Sequence, residues 1–306
     1  MRLWMITVWL ITGIACSDPS LKQPEDTNLN LRLATTGASR FEDYIHTLNI
    51  YAFKKTGSGG FVYAETLAEL DAEGITGLQD GSAKRDAKLF NMNLEVGTYQ
   101  IFMIGNAAGR LSANWTEGIT TPAEVVISGN PGGQDSVFFL GHVETVISSS
   151  FRPPVPVTLN RIVSKLVFVL YGVPVQIDSV RLNLGNLASE VSIDGTFTGT
   201  GKMFVKSYPV RKNTAGVKDT IVGEVVTLPS LAGGSPCQLI FYSRNGQKRV
   251  KEMPVQTLLP DKYLRMVGIM NDNPGGLLDF EVKLKSYLVD YWYDKTLPDF
   301  VIDRQE

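Results

Sequence analysis

Few residues in this chain of 306 could do thiol, imidazole or metal chemistry: two cysteines, Cys16 and Cys237, and two histidines, His46 and His142. Neither histidine stands in a cluster with metal-ligand spacing, and no HExxH or CxxC occurs. There is no GxSxG elbow, no Walker loop and no GxGxxG opening a helix. Gly57-Ser58-Gly59-Gly60 is glycine-rich, but it joins two strand patterns and so lacks the helix N-terminus that a phosphate site uses. The carboxylates are scattered, and Lys248, Arg249 and Lys251 read as the solvated arm of a hairpin. The sequence therefore assigns no catalytic residue, no cofactor and no metal. Asp135-Ser136-Val137, Asp178-Ser179-Val180 and Asp219-Thr220-Ile221 fit an Asp-Ser/Thr-apolar pattern for O-glycosylation. Asn114-Trp115-Thr116 is a sequon that matters only in a eukaryotic secretory pathway.

The composition points toward a scaffold. Lys+Arg number 29 against 31 Asp+Glu, a net charge of −2, which gives no global reason to bind nucleic acid or an acidic membrane. With 43% hydrophobic and 20% charged residues the chain is an ordinary folded one, long enough for two domains. The 29 Gly and 15 Pro, together with many Val, Ile, Thr, Phe and Tyr, favour strands and turns.

Cys16 is the residue with the clearest expected chemistry. Arg2 precedes an apolar run from Leu3 to Ile14, and Ala15 leads directly into Cys16. The run is shorter than the ~20 residues of a membrane-spanning helix and fits a secretory signal. Ending on Cys, it resembles a bacterial lipoprotein signal over 1–15, with lipidation of Cys16, although Gly13 stands where that signal usually has Leu. Acyl chains hold a domain on a membrane by ~0.8 kcal/mol per buried methylene. Residues 16–28, polar and Pro-containing, then read as a lipidated tether. With Cys16 so used, Cys237 beside Leu239, Ile240 and Phe241 reads as a small core residue, and no disulfide is expected.

Beyond the tether, short alternating runs between turn residues predict an all-β chain. Leu48–Phe53 and Phe61–Tyr63 flank the Gly turn, and Tyr99–Asn106 is a strongly apolar strand. Residues 67–88 could hold a short helix or an excursion loop, and 107–134 a long loop with one strand at Val125–Ile127. Asp194-Gly195 and Asn245-Gly246 are hairpin turns. The prolines of Phe151-Arg152-Pro153-Pro154-Val155-Pro156 suggest a boundary between an N-terminal sandwich over 29–152 and a C-terminal one over 157–306. Leu159–Lys165 could form one helical turn with Arg161 and Lys165 on one side. A weak repeat, Leu94…Tyr99 and Leu258…Tyr263, suggests two related domains.

Together these features resemble the fimbrial anchor subunits of Bacteroidota, relatives of the fimbrillins. The likeness rests on Cys16, on Leu48–Tyr63, on Leu94-Glu95-Val96-Gly97-Thr98-Tyr99 running to Asn106, on Pro156–Val167, and on the aromatic tail around Tyr291-Trp292. It implies two transthyretin-like β-sandwich domains. It also implies a non-catalytic, lipid-anchored subunit at the base of a fimbrium (type V pilus) on the outer membrane. Such a subunit limits the length of the fimbrium and binds major or minor fimbrillin subunits by strand complementation. Shaft subunits of the family lose a first strand by cleavage after Arg; here Arg32 and Arg40 flank Leu33–Ser39, and an anchor is expected to stay uncut. The alternative reading is a surface adhesin or glycan-binding lipoprotein, whose mark would be exposed aromatics on one face, drawn from Trp115, Tyr242, Tyr291, Trp292 and Tyr293.

Overall fold

The computed structural model of the chain describes residues 27–36, 40–130, 133–134, 136–150, 153–212, 216, 218–272 and 280–289. The first half begins with β1 (Leu29–Thr35), β2 (Leu48–Lys55), β3 (Phe61–Leu70), β4 (Gln79–Asp80) and β5 (Ala87–Met92). It continues with β6 (Gly97–Gly105), β7 (Leu111–Ser112), β8 (Val126–Ser128), β9 (Phe139–Ile147) and β10 (Val155–Arg161). The layer β4-β5-β1-β10 lies over the layer β3-β2-β6-β9, and the two join where the end of β10 pairs with the start of β9. The alternation of β1 places Leu29, Leu31 and Leu33 inward, all at most 1% exposed, against Ile50, Ile101 and Met103.

The second half holds β11 (Ser164–Tyr171), β12 (Ile177–Leu187), β13 (Glu190–Ser192), β14 (Phe197–Thr198) and β15 (Lys202–Pro209). After these come β16 (Arg211–Lys212), β17 (Lys218–Thr227), β18 (Ser235–Ser243), β19 (Lys248–Gln256), β20 (Tyr263–Asp272) and β21 (Phe280–Val289). Here β16-β17-β11-β20-β21 faces β15-β12-β18-β19 around Phe168, Leu182, Phe204, Phe241 and Met266. Gly223 stands opposite Phe168 in the β11–β17 pair, and a Cβ there would lie 2.0 Å from the ring, so the position takes no side chain. The all-β, two-sandwich expectation is met.

The two halves repeat one pairing scheme. β1 runs antiparallel to β5 and parallel to β10, as β11 runs antiparallel to β17 and parallel to β20. β2 lies between β3 and β6 as β12 lies between β15 and β18. By this equivalence β6 matches β18. The sequence repeat had set Tyr99 of β6 against Tyr263 of β20, which occupy different places in the two sheets. Both tyrosines are buried after a turn, and that shared local demand produced the similarity.

Two further expectations are corrected. Leu159–Lys165 forms no helical turn: it is the end of β10, a two-residue link and the start of β11. The proline stretch does not part the sheets either, because Val155–Arg161 is hydrogen-bonded to β1 and β9 and so belongs with the first sandwich. Pro156 is tolerated because β10 has a partner on only one side there, β9 joining only at Asn160 and Arg161. The stretch 67–88 contains the end of β3, the six-residue helix α1 (Ala72–Gly77), whose Gly74 N–H donates to the Asp71 side chain, and β4.

The halves are not beads on a string. β7 and β8 from the first pair with β13 and β14 from the second in one small sheet. Beneath it a third core mixes Phe53, Phe102, Ile127 and Phe138 with Ile162, Val163, Val191, Ile193 and Leu228.

Candidate functional site

The predicted lipidation residue, Cys16, and the Tyr291-Trp292-Tyr293 tail lie outside the described residues. The entry to β1 is tied down at Asn28, a residue with no mark in the sequence. Its backbone N–H donates to Asn93 Oδ1 at 3.0 Å, its side-chain amide donates to the Leu94 carbonyl at 2.8 Å, and the Leu94 N–H donates back to its Oδ1 at 2.8 Å. These bonds pin the point where the 16–28 segment enters β1. Because β1 has a ladder on each side, a pull on the N-terminus must shear both rather than peel an edge.

The two arginines considered for cleavage have different settings. Arg32 is exposed, but its backbone sits mid-strand between β5 and β10, unavailable to a protease that needs an unpaired segment. Arg40, with a side chain 54% exposed and 3.8 Å from Glu42, precedes the 3-10 turn Phe41–Asp43 and is the more accessible.

The strand edges differ in their defences. On β5, Lys88 stands opposite Leu33 and points inward, its side chain 3% exposed and held by Glu42 at 2.7 Å and Asp80 at 2.9 Å. Burial pulls the Lys88 ammonium down, but its bonds to Glu42 and Asp80 outweigh this and hold it above the usual lysine value. Burial pushes Glu42 up, yet the hydrogen bond and charge of Lys88, its own backbone and Arg40 together hold it below the usual range. Asp80 is lowered first by its hydrogen bond to Lys88. In the second sandwich Lys206 of β15 faces Leu182, and Arg249 and Lys251 of β19 face Phe241 and Leu239. β15 and β19 are edge strands, and cations on their core-facing side resist pairing with a stray strand, whereas β5 is covered by β4, whose Asp80 stands opposite Lys88. On β3 the defence is different: two register shifts, and a loop that takes the Tyr63 N–H with the Thr120 carbonyl and gives the Gly118 N–H to the Tyr63 carbonyl.

The candidate glycan-stacking aromatics do not assemble on one face among the described residues. Trp115 stacks on Tyr51 with centroids 4.4 Å apart and lies 5.0 Å from Tyr63, against the third core. Burial pushes the Tyr51 hydroxyl up to about 12. Tyr242 lies elsewhere, on β18, beneath the Arg181 guanidinium at 5.2 Å. An open cleft of about 450 Å³ is lined by Asp43, Tyr44, His46, Asn106, Phe139 and Arg161, among others. Asn106 is committed to structure there: it accepts the His46 N–H at 2.7 Å and donates to the carbonyls of Tyr44 and Val137. His142 stacks on Phe102, the ring centroids 5.5 Å apart. Among the described residues no group of three or more His, Cys, Asp or Glu could hold a metal. Cys237 is 1% exposed, and burial first, then Glu252, push its thiol up to about 12. Of the modification triplets, Asp135 lies outside the described residues, Ser179 is half-buried in β12, and the Thr220 hydroxyl donates to Asp219 at 2.8 Å.

Among the described residues an ion pair between Arg161 and Asp261 crosses between the sandwiches, and sequence reasoning missed it by placing Arg161 on a helical turn. Arg161 ends β10 with a side chain 3% exposed, lies 5.3 Å over the Phe139 ring, and reaches Asp261 Oδ1 at 2.6 Å. Asp261, in the turn before β20, has a φ of 55° and donates its N–H to the Val163 carbonyl. Burial holds its carboxyl above the usual range despite the opposing charge of Arg161.

Comparison with known proteins fits this architecture. No curated protein sequence matches the chain. A candidate adhesin from Bacteroides ovatus is 15% identical, with 85% of this chain and 95% of that one covered and a TM-score of 0.56. The fimbrial anchor protein Mfa2 from Porphyromonas gingivalis is 14% identical, with 86% and 97% covered and a TM-score of 0.52. A fimbrial assembly protein from Parabacteroides distasonis is 12% identical, with 85% and 98% covered and a TM-score of 0.51. At these identities the likeness is one of fold. The model of the fimbrillin-A associated anchor proteins Mfa1 and Mfa2 matches residues 19–287, and the chain belongs to that family.

Proposed function

We propose that this chain is a lipid-anchored, non-catalytic subunit that attaches a fimbrium to the outer membrane through Cys16. On this reading it limits the length of the fimbrium and binds a neighbouring fimbrillin by strand complementation. Family membership supports the fimbrial association. The observation that carries the anchoring role is the seat of β1: the strand that follows the tether lies inside a sheet, with Leu29, Leu31 and Leu33 buried. Lipid at Cys16 would thus be coupled to the body of the molecule through two ladders and the Asn28 bonds. The competing adhesin reading has the Bacteroides ovatus structure in its favour. Among the described residues, the candidates Trp115 and Tyr242 lie apart.

Deleting the gene and imaging the cells by electron microscopy tests the anchor role. Long, shed fimbriae are expected, and unchanged fimbriae would sink it. Cys16→Ala is expected to release the protein from the membrane fraction; retention there would count against lipidation.

A further inference from the structure

The two sandwiches differ in charge. Residues 27–150 carry 8 Lys and Arg against 13 Asp and Glu, whereas residues 153–272 carry 14 against 8. Much of the cationic excess lies in one stretch. Between Asp194 and Asp219 there is no Asp or Glu, but there are Lys202, Lys206, Arg211, Lys212 and Lys218. Lys202 and Lys206 stand on β15, an edge strand, and Arg211 and Lys212 form β16, at the edge of the facing sheet. The chain crosses from one sheet to the other at Val210, which is buried and donates its N–H to the Asp178 carbonyl. Tyr208 bridges the same gap, its hydroxyl donating to the Glu224 carbonyl of β17 at 3.0 Å. The two edges are thereby held side by side, and their cations share one flank of the second sandwich.

Lys202, Lys206, Arg211 and Lys212 are all exposed, and among the described residues none of them has an ion-pair partner. Met203, 59% exposed, and Val205, 47% exposed, lie between the two lysines of β15. Such a flank suits a ligand with repeated negative charges and apolar faces of its own. Addition of an acidic strand is opposed by Lys202 and Lys206, which stand opposite Leu187 and Leu182 on the core-facing side of β15. A membrane surface is broad and also meets the acidic residues of the first sandwich, whereas a linear polymer follows the flank alone. Lys202 and Lys206 are about 13 Å apart at ~3.3 Å per residue, a span for a chain of several charges rather than for a lone anion. We propose that the β15–β16 flank binds an acidic polysaccharide. Its carboxylates or sulfates lie beside Lys202, Lys206, Arg211 and Lys212, and its sugar rings cover Met203 and Val205. This activity is separate from the anchoring role, which needs no polysaccharide.

The test is calorimetric titration of the full-length protein with polygalacturonate and with dextran sulfate at low salt. Neutral dextran, polyglutamate and vesicles of anionic phospholipid serve as comparisons. At least one of the two acidic polysaccharides is expected to bind more tightly than all three comparisons, and to be released near 1 M salt, where the screening length is about 3 Å. Lys202→Glu with Lys206→Glu, and separately Arg211→Glu with Lys212→Glu, should each weaken that binding at least about tenfold. Lys84→Glu with Arg110→Glu makes the same charge change at exposed positions of the first sandwich and should alter it less than about twofold. An equal loss in that control would overturn the proposal, as would the absence of binding. Polyglutamate or vesicles bound as tightly as the acidic polysaccharides would assign the flank to an acidic protein segment or to a membrane, and overturn it as well.

Discussion

In the first sandwich the strand that follows residues 16–28, β1, turns leucines inward and Asn30, Arg32 and Ala34 outward. In the second, its equivalent β11 turns Leu166, Phe168 and Leu170 inward and Lys165, Val167 and Val169 outward. Both strands are flanked by one antiparallel and one parallel neighbour. The inner alternation is common to both because each must close a sandwich; the outer faces are free to differ because nothing in the pairing scheme depends on them. The lesson is that the topology was kept while the surfaces diverged. The first half presents Asn30 and Arg32 outward and the entry of the N-terminal segment, and the second presents a more valine-rich outer face and an extra strand, β21.

The largest effects should come from the equivalent inward positions. Phe168→Ala should cost about 3–5 kcal/mol and Leu31→Ala about 2–5 kcal/mol. Because the third core and the β8–β13 pairing join the halves, both variants should lower the midpoint of one shared denaturant transition. Two separate transitions in the unsubstituted protein would show the sandwiches to be independent. Next in size, Lys88→Ala should cost about 2–4 kcal/mol by leaving Glu42 and Asp80 without their buried cation. Arg161→Ala, measured in the same way, should cost about 1–3 kcal/mol, since Asp261 stays partly solvated, and should broaden or split the transition.

Acid should separate the halves by sign. Glu42 and Asp80 lie below their unfolded values, so their contribution is present above pH ~4 and is lost as pH falls through their folded values. Asp261 lies above its unfolded value, so its contribution is present at low pH and is lost as pH rises through its folded value. Hydrogen exchange at falling pH should therefore open amides around β5 before those around β20; the reverse order would refute the assignment. The smallest effect belongs to Cys237, which should resist thiol reagents in the native protein and react once denaturant is added.

How far the sequence could be read followed from the range of each interaction. The strands around Leu48–Lys55 and Tyr99–Gly105, and the Asp194-Gly195 and Asn245-Gly246 hairpins, are written in residues two to ten positions apart. The misreadings at Leu159–Lys165, at Pro153–Pro156 and in the Leu94/Leu258 repeat share a cause. In each, a local pattern was settled by partners far along the chain: Arg161 by Asp261, Val155–Leu159 by β1, and Tyr99 by β2 and β9. The site was less legible still. Asn28 owes its role to Asn93 and Leu94, and no spacing within residues 16–28 announces that.

By itself the sequence determined that this is a β-rich chain with few cysteines and histidines and an apolar N-terminal run that ends on Cys16, because composition and period are properties of neighbours. Only the tertiary structure decided that β1 sits inside a sheet, that Lys88 is buried against Glu42 and Asp80, that Lys206 and Lys251 lie on the core-facing side of edge strands, and that Val167 and Val169 stand outward where β1 has Arg32 and Ala34. Those facts depend on which strands lie side by side, and that is fixed by burying all three cores at once rather than by any single segment.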